Sequence, residues 1–471
     1  SHRFDSHLLV FGQRGGIQLE HETAESLDFS NAQDYEDWLA RLMKLPNLID
    51  DHIELANLGI ERGVTAPRIL MERVSRQIKL QIHEDPIDSP FYNIFSDMSD
   101  KINNKDEIQD KARHLIKEKI IPAYIDLDQY FTAVYLPSSR ETFGLYDLPN
   151  GYEWYEHLAN SHTTTELTPN EIHEIGLNEV TRIKQEMMKI IESLDWQGSF
   201  DDFLHFLRTD PQFYYETKEE LFQAYLATTK KIDPLIVKLF ETLPRAPYGI
   251  KAIPKESAPD TTTAYYMSPS PDGSRAGYFY VNLYRPEVRP KYEIEVLSVH
   301  EAVPGHHLQT ALAMELEGIP NFRKYSGYTA FVEGWGLYSE SLGEDMGLYR
   351  DPYSKFGALT YDMWRAVRLV VDTGMHYKGW SRQKAIDFFK DNAAKTEQDI
   401  INEIDRYLIM PGQALAYKIG QLKLLELKKK AQKELGESFN IKEFHNVILE
   451  QGALPLNIVE ERFDTYLLDA K

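Results

Sequence analysis

Cysteine is entirely absent from this chain of 471 residues. Its absence removes disulfides, thiolate nucleophiles and thiolate metal sites together, so any metal here must be held by His, Asp or Glu. Positive charge is also scarce, with 52 Lys plus Arg against 74 Asp plus Glu and a formal charge of -22. A surface of that sign repels phosphate backbones and anionic headgroups, which argues against nucleic acid as a partner. Long apolar runs are missing as well. Leu422 to Leu427, with Lys423 and Glu426 interleaved, falls far short of the roughly 20 residues that cross a bilayer, and no transmembrane segment is predicted. The sequence opens at Ser1 without a charged and apolar leader, which reads as a trimmed chain. The compartment stays open between the cytoplasm and the periplasm, the latter reached through an export signal or lipid anchor upstream of Ser1.

What is present is the mix of a soluble globular protein, with 42% hydrophobic and 27% charged residues, and the length allows two or three units merged into one body. From Ala32 to Phe240 apolar residues recur mostly at helix spacing. Thr168, Pro169 and Glu171 form a helix start, with a hydroxyl cap, proline in the first turn and Glu three residues after the cap, and that helix should run to about Leu194. Between Pro244 and Pro290 the character changes. Eight prolines fall there, and Thr261 to Met267 and Gly277 to Leu283 are short runs rich in Tyr, Thr and Val that read as strands. Helical patterning returns at Tyr292, broken at Gly318 to Gly327, Gly347 to Pro352, Lys378 to Trp380 and Pro411. The expected fold is mainly α, with a helical N-terminal half (1–243), a catalytic half (244–471), and one small antiparallel sheet beside the motif helix. The halves are expected to form one continuous body around a cleft.

The informative stretch is Ser298 to Gln309, S-V-H-E-A-V-P-G-H-H-L-Q. In the common zinc motif H-E-x-x-H, two His one turn apart share the metal while the Glu activates water. Here His300 and His306 are six apart, about 240° around a regular helix, and His307 lies about 10 Å further along the axis. A straight helix therefore cannot bring two of these rings to one ion. Pro304 and Gly305 supply a break, because proline lacks an N–H and glycine tolerates unusual dihedrals. Looping out two residues brings His306 into place, and looping out three brings His307; we rank His306 first. A third ligand is offered by Phe331 to Glu340, where Glu333 and Glu340 lie seven apart on one helix face, so only one of them can reach the ion. An isolated His or helix Glu is ordinarily a packed or solvated residue. Two His and a Glu around a helix-breaking pair are costly unless something offsets them.

These residues resemble family 885 of the bacterial domains of unknown function, whose hallmark H-E-x-x-P-G-H-H-x-Q matches His300 to Gln309. The likeness extends over nearly the whole chain, through Asp34 to Leu39, Gly277 to Asn282, Glu333 to Tyr338, Val371 to Gly374 and Met410 to Gln413. That family is similar to the gluzincin peptidases, notably carboxypeptidase Taq and the thimet oligopeptidases, which implies a mostly helical body with a deep cleft. The resemblance implies zinc, one ion per chain, on His300, His306 and Glu333, with Glu301 as general base. It departs from H-E-x-x-H by two residues inserted within Val303 to Gly305.

The expected activity is hydrolysis of a peptide by zinc-activated water. The alternatives are a small non-peptide amide or ester as substrate, or a catalytically silent binding protein, which would need the ligands but not Glu301. Tyr417 resembles the tyrosine that follows the proline in the carboxypeptidase relatives and is the first candidate to donate to the oxyanion, with Tyr407 second. Arg406, Arg365 and Arg368 are candidates for binding a substrate carboxylate or for structural ion pairs. Gly277, Tyr278 and Tyr280 are expected on an edge strand that pairs with an extended peptide. His307 and His376 complete the candidates, as substrate contacts or hydrogen-bonded core residues.

Overall fold

The computed structural model describes residues 2–255, 258, 262–325 and 327–470. The chain divides into two compact units, Ser1–Trp154 and Tyr155–Lys471, so the expected boundary at 243 falls inside the second. Among the described residues, no helix is long and apolar enough to cross a membrane.

The first unit is helical. It contains α1 (Ala32–Leu42), α2 (Leu45–Arg62), α3 (Arg68–Lys79) and a rod, α4, built from Lys105–Leu115, Ile116–Ile120, Ile121–Tyr130, Phe131–Tyr135 and Leu136–Ser138. Two stretches of this rod, Ile116–Ile120 and Phe131–Tyr135, are π-helical. Each precedes a proline, Pro122 or Pro137, whose missing N–H and bulky ring prevent a regular ladder one turn earlier.

The second unit carries the motif. Its α5 (Pro169–Ser193) starts at Thr168 with a complete capping box to Glu171, as the sequence predicts. Next come α6 (Lys218–Ile232), β1 (Tyr248–Ala252), β2 (Ala264–Met267) and β3 (Gly277–Val281). Thr261, the expected start of the β2 run, lies outside the described residues. The sheet has the order β1-β3-β2, with β3 parallel to β1 and antiparallel to β2. It is therefore mixed, not antiparallel. The chain reverses once between β1 and β2 and again between β2 and β3, so β3 returns in the direction of β1 and settles in the middle.

Beyond the sheet lie α7 (Ile294–Glu301), α8 (His306–Glu315), α9 (Thr329–Asp345), α10 (Pro352–His376), α11 (Glu397–Ile409) and α12 (Leu415–Leu435). Helix α7 is buried along its length except at Glu295, which is half-buried and accepts from the Tyr349 amide, the pattern of a helix surrounded by protein. It packs against α6, α9, α10 and β2. Phe279 and Val281 of β3 join Val296, Leu297 and Ala302 in one apolar cluster, and Trp335, Phe331 and Tyr338 of α9 anchor another with Leu424 and Leu427 of α12. At the crossing of α9 and α12 a Cβ on Gly334 would lie 2.6 Å from the Gly420 backbone, so the backbones meet there and fix the azimuth of α9.

Candidate metal centre

The motif helix stops at Glu301 and a new helix starts at His306. The interruption, 302–305, is wider than a two-residue bulge, but its backbone is satisfied. Gly305 N–H donates to Val299 O at 3.0 Å and His307 N–H to Ala302 O at 3.1 Å. A Cβ at position 305 would sit 1.8 Å from the His300 carbonyl oxygen, and a backbone atom has nowhere to go. Helix α9 takes up the Pro304 carbonyl: Trp335 Nε1 donates to it at 2.9 Å and Ser339 Oγ at 3.3 Å. The break thus docks directly on the helix that carries Glu333 and Glu340.

The break brings His300 and His306 face to edge, with ring centroids 4.7 Å apart. Glu333 Oε2 lies 3.9 Å from His300 Nε2 and 3.5 Å from His306 Nε2. One donor atom from each of the three lies within 4.8 Å of the others. Donors about 2.1 Å from a tetrahedral ion stand about 3.4 Å apart, so this set would have to draw in by up to about 1.4 Å to hold one. His307 is turned away: its Nε2 meets the Ala246 carbonyl at 3.1 Å and its Nδ1 the Tyr266 hydroxyl at 2.9 Å.

Glu340 is placed as an orienting group. Its Oε1 lies 2.7 Å from His300 Nδ1 and 3.3 Å from Arg365 Nη2. A carboxylate accepts, so Nδ1 carries the proton and Nε2 presents its lone pair toward Glu333. Seven residues separate Glu333 from Glu340, which is the spacing that lets one helix face serve both nitrogens of one ring.

Burial holds the His300 ring well below the ordinary histidine pKa, helped by the charges of His306 and Arg365, so the imidazole is neutral as a metal ligand requires. Burial would also lower His306, but the hydrogen bond and charge of Glu333 hold it up at about 9. Burial would raise Glu333, but the His306 hydrogen bond and charge bring it down to about 2. Glu301 is only 8% exposed, and burial pushes its carboxyl up to about 7 against the pull of His306.

The remaining candidates separate into those near the centre and those elsewhere. Tyr417, on the first turn of α12, is half-buried, with its phenol raised first by burial and then by the charge of Glu333. Tyr407 is fully buried. Its hydroxyl donates to Glu403 Oε2 at 2.7 Å and accepts from Arg368 Nε and Trp364 Nε1, so its one proton is committed. Arg406 is spent on Glu403 and on Gln413 Oε1. His376 is buried, stacked on Tyr155 and bonded to the Tyr407 carbonyl at 3.0 Å.

The edge-strand expectation is overturned. β3 is paired on both sides, so it has no free edge for a peptide. A Cβ on Gly277 would meet Tyr266 Oη at 2.4 Å and His307 Nδ1 at 2.9 Å, so the approach it permits is that of the protein's own side chains. Tyr278 and Tyr280 share a face, as strand alternation dictates. It is the face opposite Phe279 and Val281, where Tyr280 stacks on Tyr265 and Lys251 sits over Tyr278.

The family model described as "Bacterial protein of unknown function (DUF885)" matches residues 6–463. The chain belongs to that family. No curated protein matches it. Among solved structures it is similar to the "putative lipoprotein" from Colwellia psychrerythraea, with a TM-score of 0.93 and 30% identity over 98% of this chain and 81% of that one. It also shares its fold with the "putative lipoprotein of unknown function" from Shewanella oneidensis, with a TM-score of 0.70 and 18% identity over 98% of this chain and 83% of that one.

Proposed function

We propose that this member of the family is a zinc-dependent hydrolase acting on peptide bonds. The observation that carries the reading is the meeting of His300, His306 and Glu333 within 4.8 Å beside the buried Glu301. Two imidazoles and one carboxylate are a donor set of catalytic zinc sites, which keep a position open, whereas structural sites are closed by four ligands. Zinc held there would polarise the scissile carbonyl and lower the pKa of a coordinated water to near neutrality.

The chain's own residues supply the proton handling. Glu301 accepts a proton as water adds to the carbonyl carbon, and returns it to the amine nitrogen as the C–N bond breaks. Burial, which raises the proton affinity of this carboxyl group, suits both halves of that transfer. The Tyr417 hydroxyl is the donor to the developing oxyanion, and Glu340 keeps the His300 ring in its ligating tautomer.

Apart from the interruption, two His on the motif stretch followed by a Glu on the next long helix resemble the arrangement of the gluzincin peptidases, which favours peptides over small amides or esters. The description of the Colwellia psychrerythraea neighbour as a "putative lipoprotein" supports an exported, lipid-anchored chain. Metal analysis of the purified protein, together with mass analysis of digests of a peptide library, tests the reading. About one zinc per chain and metal-dependent cleavage are expected, and full activity in a metal-free protein would end it.

A further inference from the structure

The guanidinium of Arg368, on α10, is held from two sides in the interior and left without a partner on the third. The residue is 5% exposed. Its Nε donates to Tyr407 Oη at 2.8 Å and its Nη2 to Glu403 Oε2 at 3.2 Å, while Nη1 is buried with no hydrogen-bond partner among the described residues. Trp364 and Tyr417 cover its plane, at 5.0 and 4.3 Å from the ring centroids. Stacking and two anchored nitrogens leave this side chain no freedom to swing Nη1 toward water.

Charge in this pocket does not balance. Arg406 also binds Glu403, with Nη2 at 3.0 Å from Oε2, so two buried guanidinium groups share a single carboxylate. Glu333, the next acid, faces the two imidazoles, and Asp372 is bonded to Tyr155 and the Gly412 amide. A buried guanidinium without full compensation is costly, and a buried N–H donor without a partner adds to that cost. One singly charged acceptor brought against Nη1 would relieve both.

The position selects the acceptor. Arg368 stacks on Tyr417 and lies close enough to His300 and Glu333 for its charge to act on both, so an anion at Nη1 would lie beside the three clustered donors. We infer that Arg368 Nη1 is the docking atom for the free C-terminal carboxylate of a peptide, and that the enzyme removes residues from that end. The inference rests on the hydrolase reading and specifies its substrate. One uncompensated charge fits one carboxylate, and the single free nitrogen fits one of its oxygens. Arg365 also has a buried nitrogen without a partner among the described residues, Nε, but both of its terminal nitrogens, which a carboxylate would meet at the end of the side chain, are committed to the Tyr361 carbonyl and to Glu340.

Binding of N-acetyl-phenylalanine and of its C-terminal amide to the zinc-loaded protein, measured by titration calorimetry, tests this without turnover. The acid should bind about 10- to 100-fold more tightly than the amide, the range of one charge-assisted hydrogen bond. Arg368→Met should abolish that preference, and Arg368→Lys should keep part of it. Equal binding of acid and amide by the unaltered protein, binding of neither, or a preference that survives in Arg368→Met would each overturn the inference. The unaltered protein decides the first two outcomes even where a variant misfolds. A parallel digest of free and C-terminally amidated peptides separates the two levels of the argument. Cleavage of both alike keeps the hydrolase and removes the carboxylate site, whereas an acid preference in binding with no cleavage of any peptide does the reverse.

Discussion

Gly336 lies so close to the His300 imidazole that a methyl group in place of its hydrogen would come within 2.7 Å of Cε1 and 3.0 Å of Nε2. The absence of a side chain at this point of α9 is what lets the His300 ring lie against the helix carrying Glu333. Ala in a helix is ordinarily more stable than Gly by about 0.5–1 kcal/mol. Gly336→Ala should reverse that sign and lower the melting temperature, because the ring has to leave its place. Zinc affinity, followed by chelator competition, should fall by about 10-fold or more.

Glu340→Gln removes the charge that orients His300 and pairs with Arg365. The expected result is a loss of zinc affinity of about 10- to 100-fold and, from the buried Arg365 left without its carboxylate, destabilisation of about 3 kcal/mol. Denaturant unfolding checks the second, and unchanged affinity would remove Glu340 from the support of the metal.

Glu301→Gln should abolish peptide cleavage while the zinc content stays at the unaltered level, since Glu301 is assigned to the proton and not to the ion. Loss of metal in this variant would move Glu301 into the ligand set.

The two tyrosines should part company. Tyr417→Phe should lower kcat by about 100-fold, the scale of a lost oxyanion donor, with little change in melting temperature. Tyr407→Phe leaves Arg368 Nε and Glu403 each short of a partner, so it should destabilise the fold by about 1–3 kcal/mol. Equal kinetic effects of the two changes with equal stability would contradict these roles.

His445 provides a pH test away from the metal. Its ring is fully buried between the Leu239 carbonyl and the Tyr338 hydroxyl, both at 2.8 Å, and burial pushes its pKa down to about 3. In the unfolded chain the ring titrates near its ordinary value of about 6.5. Between those values the unfolded state binds a proton that the folded state refuses, so stability is fully present above about pH 6.5 and is lost as pH falls toward 3. The loss attributable to this ring is about 1.4 kcal/mol per pH unit within that window. Unfolding curves of His445→Gln should show a correspondingly shallower pH dependence.

Much of this site can be read along the chain because its signals are local. The capping box at Thr168, the break demanded by Pro304 and Gly305, and the seven-residue interval from Glu333 to Glu340 are all matters of helix geometry within a few turns. The sheet is different. That Gly277–Val281 is strand-forming follows from its residues, but that it lies between two partners depends on where residues 248–252 return, and nothing within the strand encodes that. Likewise, alternation puts Tyr278 and Tyr280 together without saying which face meets the core. The break between the helix Arg382–Lys390 and α11 is not among those the sequence predicts. It contains neither Gly nor Pro, although Thr396 with Asp399 is a helix cap in plain view. The orphaned nitrogen of Arg368 has no signature in sequence at all, because it is defined by what three other helices fail to offer it.

His307 has a consequence beyond its exclusion from the ligand set. Its imidazole is wedged between the Ala246 carbonyl, just ahead of β1, and the Tyr266 hydroxyl on β2, while its backbone begins the helix that opens with His306. The carbonyl must receive the Nε2 proton, which leaves Nδ1 to accept from the tyrosine. A ring locked at both ends is a strut of fixed length between sheet and helix, so neither can slide past the other. His306, the second ligand of the proposed centre, therefore inherits its stiffness from the sheet, and its position is preorganised before any ion or substrate arrives.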